Sequence, residues 1–544
     1  MLRKIRTTLA LVVFVLITLL FLDVTGTLHR WFGWLASIQF WPALLAMHVG
    51  VVAMLVVLTL VFGRIYCSVI CPLGVMQDVI SRLHGMRKKN RFTYSKEKRW
   101  LRYTVLAVFV ASAVAGVNAV VSLLAPYSSY GRIAGSLMKP VYEAGNNVLA
   151  AVAEHFNSYA FYSVDVWMKS LPTLVVASLT LVVIAVLAWR GGRTYCNMIC
   201  PVGTILSFLA RFSWLKVRID GSKCVNCGLC TKNCKASAID FKNHRIDYSR
   251  CVVCGDCIYK CRKGAISLSS RRADKQTSRR ADEQTSGQAD ELTSGQVDKL
   301  TGGQVNKQAG KQANNANLLV NSSAGGLSAV NSLSVDTGRR SFLLGLAVAS
   351  TAAAMAQEKK KVDGGLAAIE DKVAPERLTP ITPPGSLSAQ HFARHCTACQ
   401  LCVSNCPNGV LRPSTDLSTF MQPTMSYERG YCRPECTRCG DVCPTGAINP
   451  ITRADKSAMQ IGHAVWIKKN CVPLTDGVEC GNCARHCPTG AITMVPVDPK
   501  DERSLKIPAV NEARCIGCGA CENLCPARPF SAIYVEGHEV HREV

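Results

Sequence analysis

Twenty-four of the cysteines in this chain fall into six groups of four, a spacing suited to one kind of chemistry, the holding of iron by thiolates. Four groups read Cys-x-x-Cys-x-x-Cys-x-x-x-Cys: Cys224, Cys227, Cys230 and Cys234; Cys251, Cys254, Cys257 and Cys261; Cys396, Cys399, Cys402 and Cys406; and Cys515, Cys518, Cys521 and Cys525. Two more, Cys432, Cys436, Cys439 and Cys443, and Cys471, Cys480, Cys483 and Cys487, keep the last two spacings and stretch the first. Three thiolates at i, i+3 and i+6 of a tight loop can face one cubane, while the fourth, past a short turn, ligates its neighbour. Zinc ribbons use isolated cysteine pairs, sometimes with His, set far apart. A disulfide scaffold would have to bridge immediate neighbours. Compact runs of four fit neither, so six 4Fe–4S clusters are expected. The swapped-ligand rule gives Cys224, Cys227, Cys230 and Cys261 to one cluster and Cys251, Cys254, Cys257 and Cys234 to another. For the last four groups the pairing stays open: first with second, or first with fourth. No residues for bond-making catalysis stand out, so no catalytic residue is assigned.

The remaining four cysteines form two near-copies, GRIYCSVICPLG over 63–74 and GRTYCNMICPVG over 192–203. Each copy puts two sulfurs a helical turn apart on one face, Cys67 with Cys71 and Cys196 with Cys200. Pro72 and Pro201 then end or kink the helix. The duplication predicts pseudo-symmetric packing that gathers four thiolates to hold a further metal or cluster, or to cycle as dithiol and disulfide. Arg64 and Arg193, paired in the same copies, would neutralise the charge. Recurring buried small residues are the plain alternative. His29 and His48 have no partner pair at matching depth, so haem is not expected.

These sites must be held by a membrane scaffold. Four apolar stretches approach the roughly twenty residues that a bilayer requires: Leu9–Leu22, Trp41–Phe62, Tyr103–Leu124 and Leu171–Trp189. Arg3, Lys4 and Arg6, and a dense Lys/Arg run from Arg82 to Arg102, contrast with only Arg132, Lys139 and Lys169 between Ala125 and Ser170. Excess Lys and Arg marks the cytoplasmic face, which puts the ferredoxin-like segment 223–268 inside. The formal net charge of +25 is therefore largely topology, offset in part by roughly two negative charges per oxidised cluster. There is no basic stripe interleaved with aromatics, which argues against a nucleic-acid partner. Membrane lipid is the expected contact.

From Arg271 an eight-residue repeat (RRADKQTS, RRADEQTS, GQADELTS) decays into Asn- and Gln-rich sequence and cannot bury a core. Arg339 and Arg340 then precede an apolar run and an A-x-A site ending at Ala356. This reads as a twin-arginine export signal, with a fifth membrane anchor as the alternative. The expected organisation is a four-span membrane domain (1–215), a cytoplasmic two-cluster ferredoxin (216–270), a disordered linker (271–335), the signal (336–357) and an exported four-cluster domain (358–544). The fold class is thus multi-domain: a four-helix transmembrane domain plus α+β bacterial ferredoxin-like domains.

On these residues the first half resembles the NapH-like membrane quinol dehydrogenase components of periplasmic nitrate reductase systems. The part from about Gly338 onward is similar to their NapG-like exported ferredoxin-type partners. The membrane half is also similar to NosR-type proteins, whose additional flavin domain is missing here. The resemblance implies an iron–sulfur protein of the bacterial inner membrane that oxidises menaquinol or ubiquinol. It would pass the electrons to a periplasmic reductase, nitrate reductase foremost, or to a cytochrome, with no terminal substrate chemistry of its own. A conduit from a cytoplasmic donor to the periplasm, or a redox maturation or sensing protein, is the alternative. Lys235 and Arg262 stand where proline usually follows the fourth cysteine, which is expected to alter local backbone but not ligation.

Overall fold

The computed structural model describes residues 2–23, 25–87, 92–270 and 370–543; the octad repeats, Arg339 and Arg340 and the A-x-A site lie outside them. The first part is helical: α1 (Leu2–Leu22), α2 (Val49–Phe62), α3 (Pro72–Arg87), α4 (Arg99–Val114), α5 (Pro126–Ile133), α6 (Lys139–His155), α7 (Leu171–Gly191) and α8 (Pro201–Ala210). Helices α1 and α7, 21 residues each, are long and apolar enough to cross a membrane. At 1.5 Å per residue each reaches about 31 Å, the thickness of a hydrocarbon core. The most apolar window of each is only 22 % buried, unlike the core helix of a soluble protein.

The other two expected spans are not single helices. Trp41–Phe62 breaks at Met47, which has φ 55°, into Phe40–Leu45 and α2. Tyr103–Leu124 breaks at Gly116, where φ 75° suits a residue without Cβ, into α4 and Asn118–Leu124. The stretch 125–170, expected as an outer loop, is largely folded as well. All eight residues of α5 are buried, and one π-helical turn (Ala134–Met138) joins it to α6. Arg132 is fully buried in α5, where the Ser122 carbonyl accepts from its guanidinium at 2.8 Å. Its charge therefore serves packing rather than topology.

Strands β1 (Leu215–Ile219), β2 (Ile239–Asp240), β3 (Arg245–Ile246) and β4 (Ile266–Ser270) make two antiparallel pairs, β1 with β4 and β2 with β3, around the first two cysteine groups. The later region repeats the theme with β5 (Leu411–Pro413) on β6 (Pro423–Met425). Its long ribbon sets β7 (Met459–Trp466) against a later strand, and β8 (Ile492–Pro496) pairs β9 (Lys506–Val510). The partner of β7 is β10 (Ile533–Glu543), so the strands that follow the second and fourth cysteine groups tie the two halves together.

The two cysteine-rich regions sit at opposite ends of α1. At one end Arg3 Nε meets Asp256 at 2.8 Å. At the other, Asn405 Nδ2 donates to the Leu20 carbonyl at 3.2 Å, and Arg438 donates to the Thr25 carbonyl at 2.6 Å. Seventeen residues separate Arg3 from Leu20, about 25 Å of helix. Gly131 of α5 lies so close beneath the Cys399 carbonyl that a Cβ would come within 2.3 Å of it.

The lead-in segment of the last region is fastened by one buried ion pair. Glu522, 1 % exposed, accepts from Arg377 at 2.6 Å and from the Val535 N–H at 2.8 Å. Arg377→Ala leaves that carboxylate uncompensated, and the expected cost is about 3 kcal/mol. Thermal loss of visible absorbance in the purified chain measures it; an unchanged midpoint would mean the pair contributes nothing.

Candidate metal centres

Each standard motif is bent by the same two residues. The third and fifth positions are left-handed in all four: Asn226 and Gly228, Val253 and Gly255, Ala398 and Gln400, Gly517 and Gly519. Left-handed backbone is rare for β-branched Val253, so the repeat marks a loop shape held by its surroundings. One such loop turns the Ala398 N–H toward Cys396 Sγ at 3.5 Å; segments past the motifs add Ala491 N, 3.2 Å from Cys487 Sγ, and Ala532 N, 3.3 Å from Cys525 Sγ.

Proximity groups the sulfurs across motifs rather than within them. Cys251, Cys254 and Cys257 share electrostatic range with Cys234. Cys224, Cys227, Cys230 and Cys261 surround a common cavity of about 180 Å³. Cys396, Cys399 and Cys402 face Cys443, whereas Cys432 and Cys439 face Cys436 and Cys406. Cys471, Cys480 and Cys483 face Cys525, and Cys515 and Cys518 face Cys487. Of the two arrangements left open by the sequence, the sulfurs lie in the sequential one: first motif beside second, third beside fourth. The halves meet where the Cys432 N–H donates to the Cys518 carbonyl at 2.9 Å, beside the buried ring of Tyr427.

The two Cys-x-x-x-Cys-Pro copies also come together. Cys67 and Cys196 lie in the helical turns Tyr66–Val69 and Thr194–Met198, and Cys71 and Cys200 just past them; all four are buried, and electrostatic range links them. The arginines cross over: Arg64 donates to the Cys196 carbonyl at 3.0 Å, and Arg193 donates to the Cys67 carbonyl. Gly74 and Gly203 occupy matching places, where a Cβ would come within 2.3 and 2.4 Å of those same two carbonyls. Gln77 Nε2 lies 3.2 Å from Cys196 Sγ.

Several functional neighbours escaped the sequence reading. Lys235, in the place of the usual proline, reaches Asp78 at 2.8 Å and Asp256 at 3.4 Å, so this departure ties the ferredoxin portion to α3. Asp78 also meets Arg193 at 2.7 Å and Arg6 at 3.3 Å. Lys456 is buried and donates to the Arg433 and Cys436 carbonyls, each at 2.5 Å. Lys139 and Lys169 donate to the Ser404 and Val403 carbonyls. Lys372 reaches the carbonyls of Glu522, Asn523 and Cys525. Single lysines carry no spacing signal, so only the folded chain reveals that buried cations flank the thiols.

This donor set fits iron–sulfur clusters. Burial pushes the Cys251, Cys254, Cys399 and Cys518 thiols up to about 12 and Cys483 to about 11, with neighbouring thiols adding to the rise. Thiolates crowded this way need a positive group among them, which iron supplies. Around the crossed arginines, Arg64 Nε and Arg193 Nη2 are buried donors that meet no acceptor among the described residues, as a bound anionic cluster would require. Among the described residues no three His, Cys, Asp or Glu converge on one ion. A cubane takes its ligands at separate corners and does not ask that of them.

Comparison with known proteins agrees with this geometry. A "4Fe-4S dicluster domain" model matches residues 395–447 and 478–528. A "4Fe-4S binding domain" model matches 43–91 and 172–220, the two segments that carry the Cys-x-x-x-Cys-Pro copies. The chain is 34 % identical over 169 residues to the methylamine utilization ferredoxin-type protein MauM of Methylobacillus flagellatus, covering 30 % of this chain and 70 % of the relative. It is 31 % identical over 161 residues to the ferredoxin-type protein NapF of Escherichia coli, covering 29 % and 87 %. It is 24 % identical over 189 residues to the putative electron transport protein YccM of the same species, covering 33 % and 43 %. No solved structure matches the chain.

Proposed function

We propose, on the premise that this chain belongs to the ferredoxin-type iron–sulfur electron-transfer proteins, that it is a membrane-bound relay. The relay takes electrons from quinol and delivers them to a reductase or cytochrome outside a bacterial inner membrane. One observation carries the reading: short links join cysteine quartets of the first ferredoxin portion, the bundle and the last region. Arg64 bridges the Ser249 carbonyl, beside Cys251, to the Cys196 carbonyl of the buried quartet. Tyr195, next to Cys196, lies in electrostatic range of Arg132, which in turn lies in range of Cys399. From there the quartets continue through Cys432 to Cys518.

The residues that would hold clusters are the six swapped quartets, with Cys67, Cys71, Cys196 and Cys200 proposed as a seventh site. Each cluster supplies one-electron redox chemistry when bound. The chain's own residues supply spacing, insulation and counter-charge. Support for the membrane comes from the exposed apolar faces of α1 and α7 and from two aromatic girdles. Trp31, Trp34, Phe156 and Tyr159 are exposed near one end of the bundle, and Trp100, Trp189, Phe212 and Trp214 near the other.

A second reading has its own observation. Cys227 is exposed on the first ferredoxin portion and would serve as an entry port for a cytoplasmic donor in a conduit running outward. Menaquinol and a reduced soluble ferredoxin, added separately to anaerobically purified chain in nanodiscs, separate the two by electron paramagnetic resonance. Reduction by quinol is expected. Clusters that stay oxidised with quinol but reduce with ferredoxin would defeat the dehydrogenase reading.

The seventh site has a direct count. The quadruple variant of Cys67, Cys71, Cys196 and Cys200 to Ala is expected to contain about four fewer irons per chain than the unaltered protein. An unchanged iron content would leave those thiols as a dithiol–disulfide couple or as packing.

A further inference from the structure

A cavity of about 230 Å³ opens beside the end of α1 that faces the exported cysteine groups. Leu19 and Leu22 of α1, Tyr142 and Glu143 of α6, and Phe161 and Tyr162 from the following strap line it. The strap is fixed: Asn146 donates to the Tyr162 carbonyl at 2.9 Å, and Asn147 exchanges hydrogen bonds of 2.7 Å with Val164. We infer that this cavity is the binding site for the ring of the quinol, an inference that rests on the relay reading above.

Size and chemistry agree with that occupant. A cavity of about 150 Å³ accepts benzene, so this one admits a substituted head ring but not a polyprenyl tail. The tail would leave along the exposed apolar residues Val12 and Val15 of α1. Aromatic and aliphatic walls with one convergent acid are the usual lining for such a ligand.

The placement suits electron transfer. Leu20, between the two lining leucines, accepts from Asn405, which stands directly before Cys406. Lys139, one turn from Glu143, holds the Ser404 carbonyl, and Lys169 holds that of Val403, next to Cys402. Residues adjoining the lining on α1 and α6 therefore hold the short helix Leu401–Asn405, which carries Cys402 and leads into Cys406, both proposed cluster ligands.

Oxidising a quinol releases two electrons and two protons. The electrons leave singly to oxidised iron–sulfur clusters, one proton goes to Glu143 and the other to water. Asp23, also in the lining, is already engaged: its carboxylate accepts from the N–H groups of Thr25, Gly26 and His29. The ion-pair partner of Glu143 is the Lys139 ammonium at 3.9 Å. Burial raises its affinity for a proton, opposed by Lys139 and Lys169 and reinforced by Asp165.

An azidoquinone photoprobe on the cluster-loaded full chain in nanodiscs tests the site. Label is expected between residues 142 and 164, displaced by unlabelled short-chain quinone. Ala160→Trp, which fills the cavity from the strap, should weaken labelling at least about tenfold with iron content unchanged. Glu143→Gln should keep the label but slow quinol-driven cluster reduction roughly a hundredfold. Label lodged elsewhere, or unaffected by Ala160→Trp, overturns the site even if quinol still reduces the clusters. Label in the cavity without any quinol-driven reduction overturns the relay reading and leaves a quinone-binding site. An unaltered rate in Glu143→Gln removes that residue from the proton path.

Discussion

Cys443→Ala is expected to abolish the same spectroscopic signal as Cys399→Ala, not the signal lost in Cys432→Ala. The reason is the crossing of ligands: Cys443 faces Cys396, Cys399 and Cys402, while Cys406 faces the other three cysteines of the second motif. Each variant should lose one cluster, about four irons, and with it passage from the bundle to the outer quartets. Anaerobic iron analysis with Mössbauer or electron paramagnetic resonance spectra of the reduced variants decides the matter. If Cys443→Ala and Cys432→Ala lose a common signal, each motif serves its own cluster and the sequential exchange is wrong.

The second large effect falls on Asp78. Burial disfavours its charge, but Arg193, Lys235 and Arg6 together hold its carboxyl well below the usual carboxylate range. Asp78→Asn leaves three cations from three separate segments without their common partner. Removing one member of a buried ionic cluster costs about 3–5 kcal/mol. The first ferredoxin portion, tied to α3 by Lys235, should loosen from the bundle, visible as faster hydrogen exchange at residues 230–260 and a lower midpoint for cluster loss. Because the folded value lies below the unfolded one, this contribution is complete at neutral pH and declines as pH falls below about 3.8. Lys235→Met removes one cation and leaves the Arg193 pair, so its effect should be smaller. Equal midpoints for Asp78→Asn and the unaltered chain would show that the network is solvated.

The quartets themselves were legible because ligation imposes spacing on the chain. Cys-x-x-Cys-x-x-Cys is a local geometry, and the two left-handed positions inside each standard motif are the same local demand met by the backbone. The copied Arg64 and Arg193 segments likewise signal pseudo-symmetric packing, which the crossed arginines and matching glycines bear out. The spans were less legible. Hydropathy reports composition, and Trp41–Phe62 and Tyr103–Leu124 are apolar enough while their backbones break at Met47 and Gly116. Charge counting misread Arg132 and Lys139 as sparse loop cations, although both are buried against carbonyls.

By itself the sequence determined how the thiols are grouped: twenty-four in quartets, four more in duplicated turns, with apolar stretches between them. Only the tertiary structure decided which of the last four quartets lie beside one another, which lysines flank them, and where a cavity opens near them. Ligand spacing is written within a dozen residues, whereas Cys399 over Gly131, Lys235 on Asp78 and Leu20 under Asn405 join positions more than a hundred residues apart. Contacts at such separation arise from packing and leave no periodic trace in the chain.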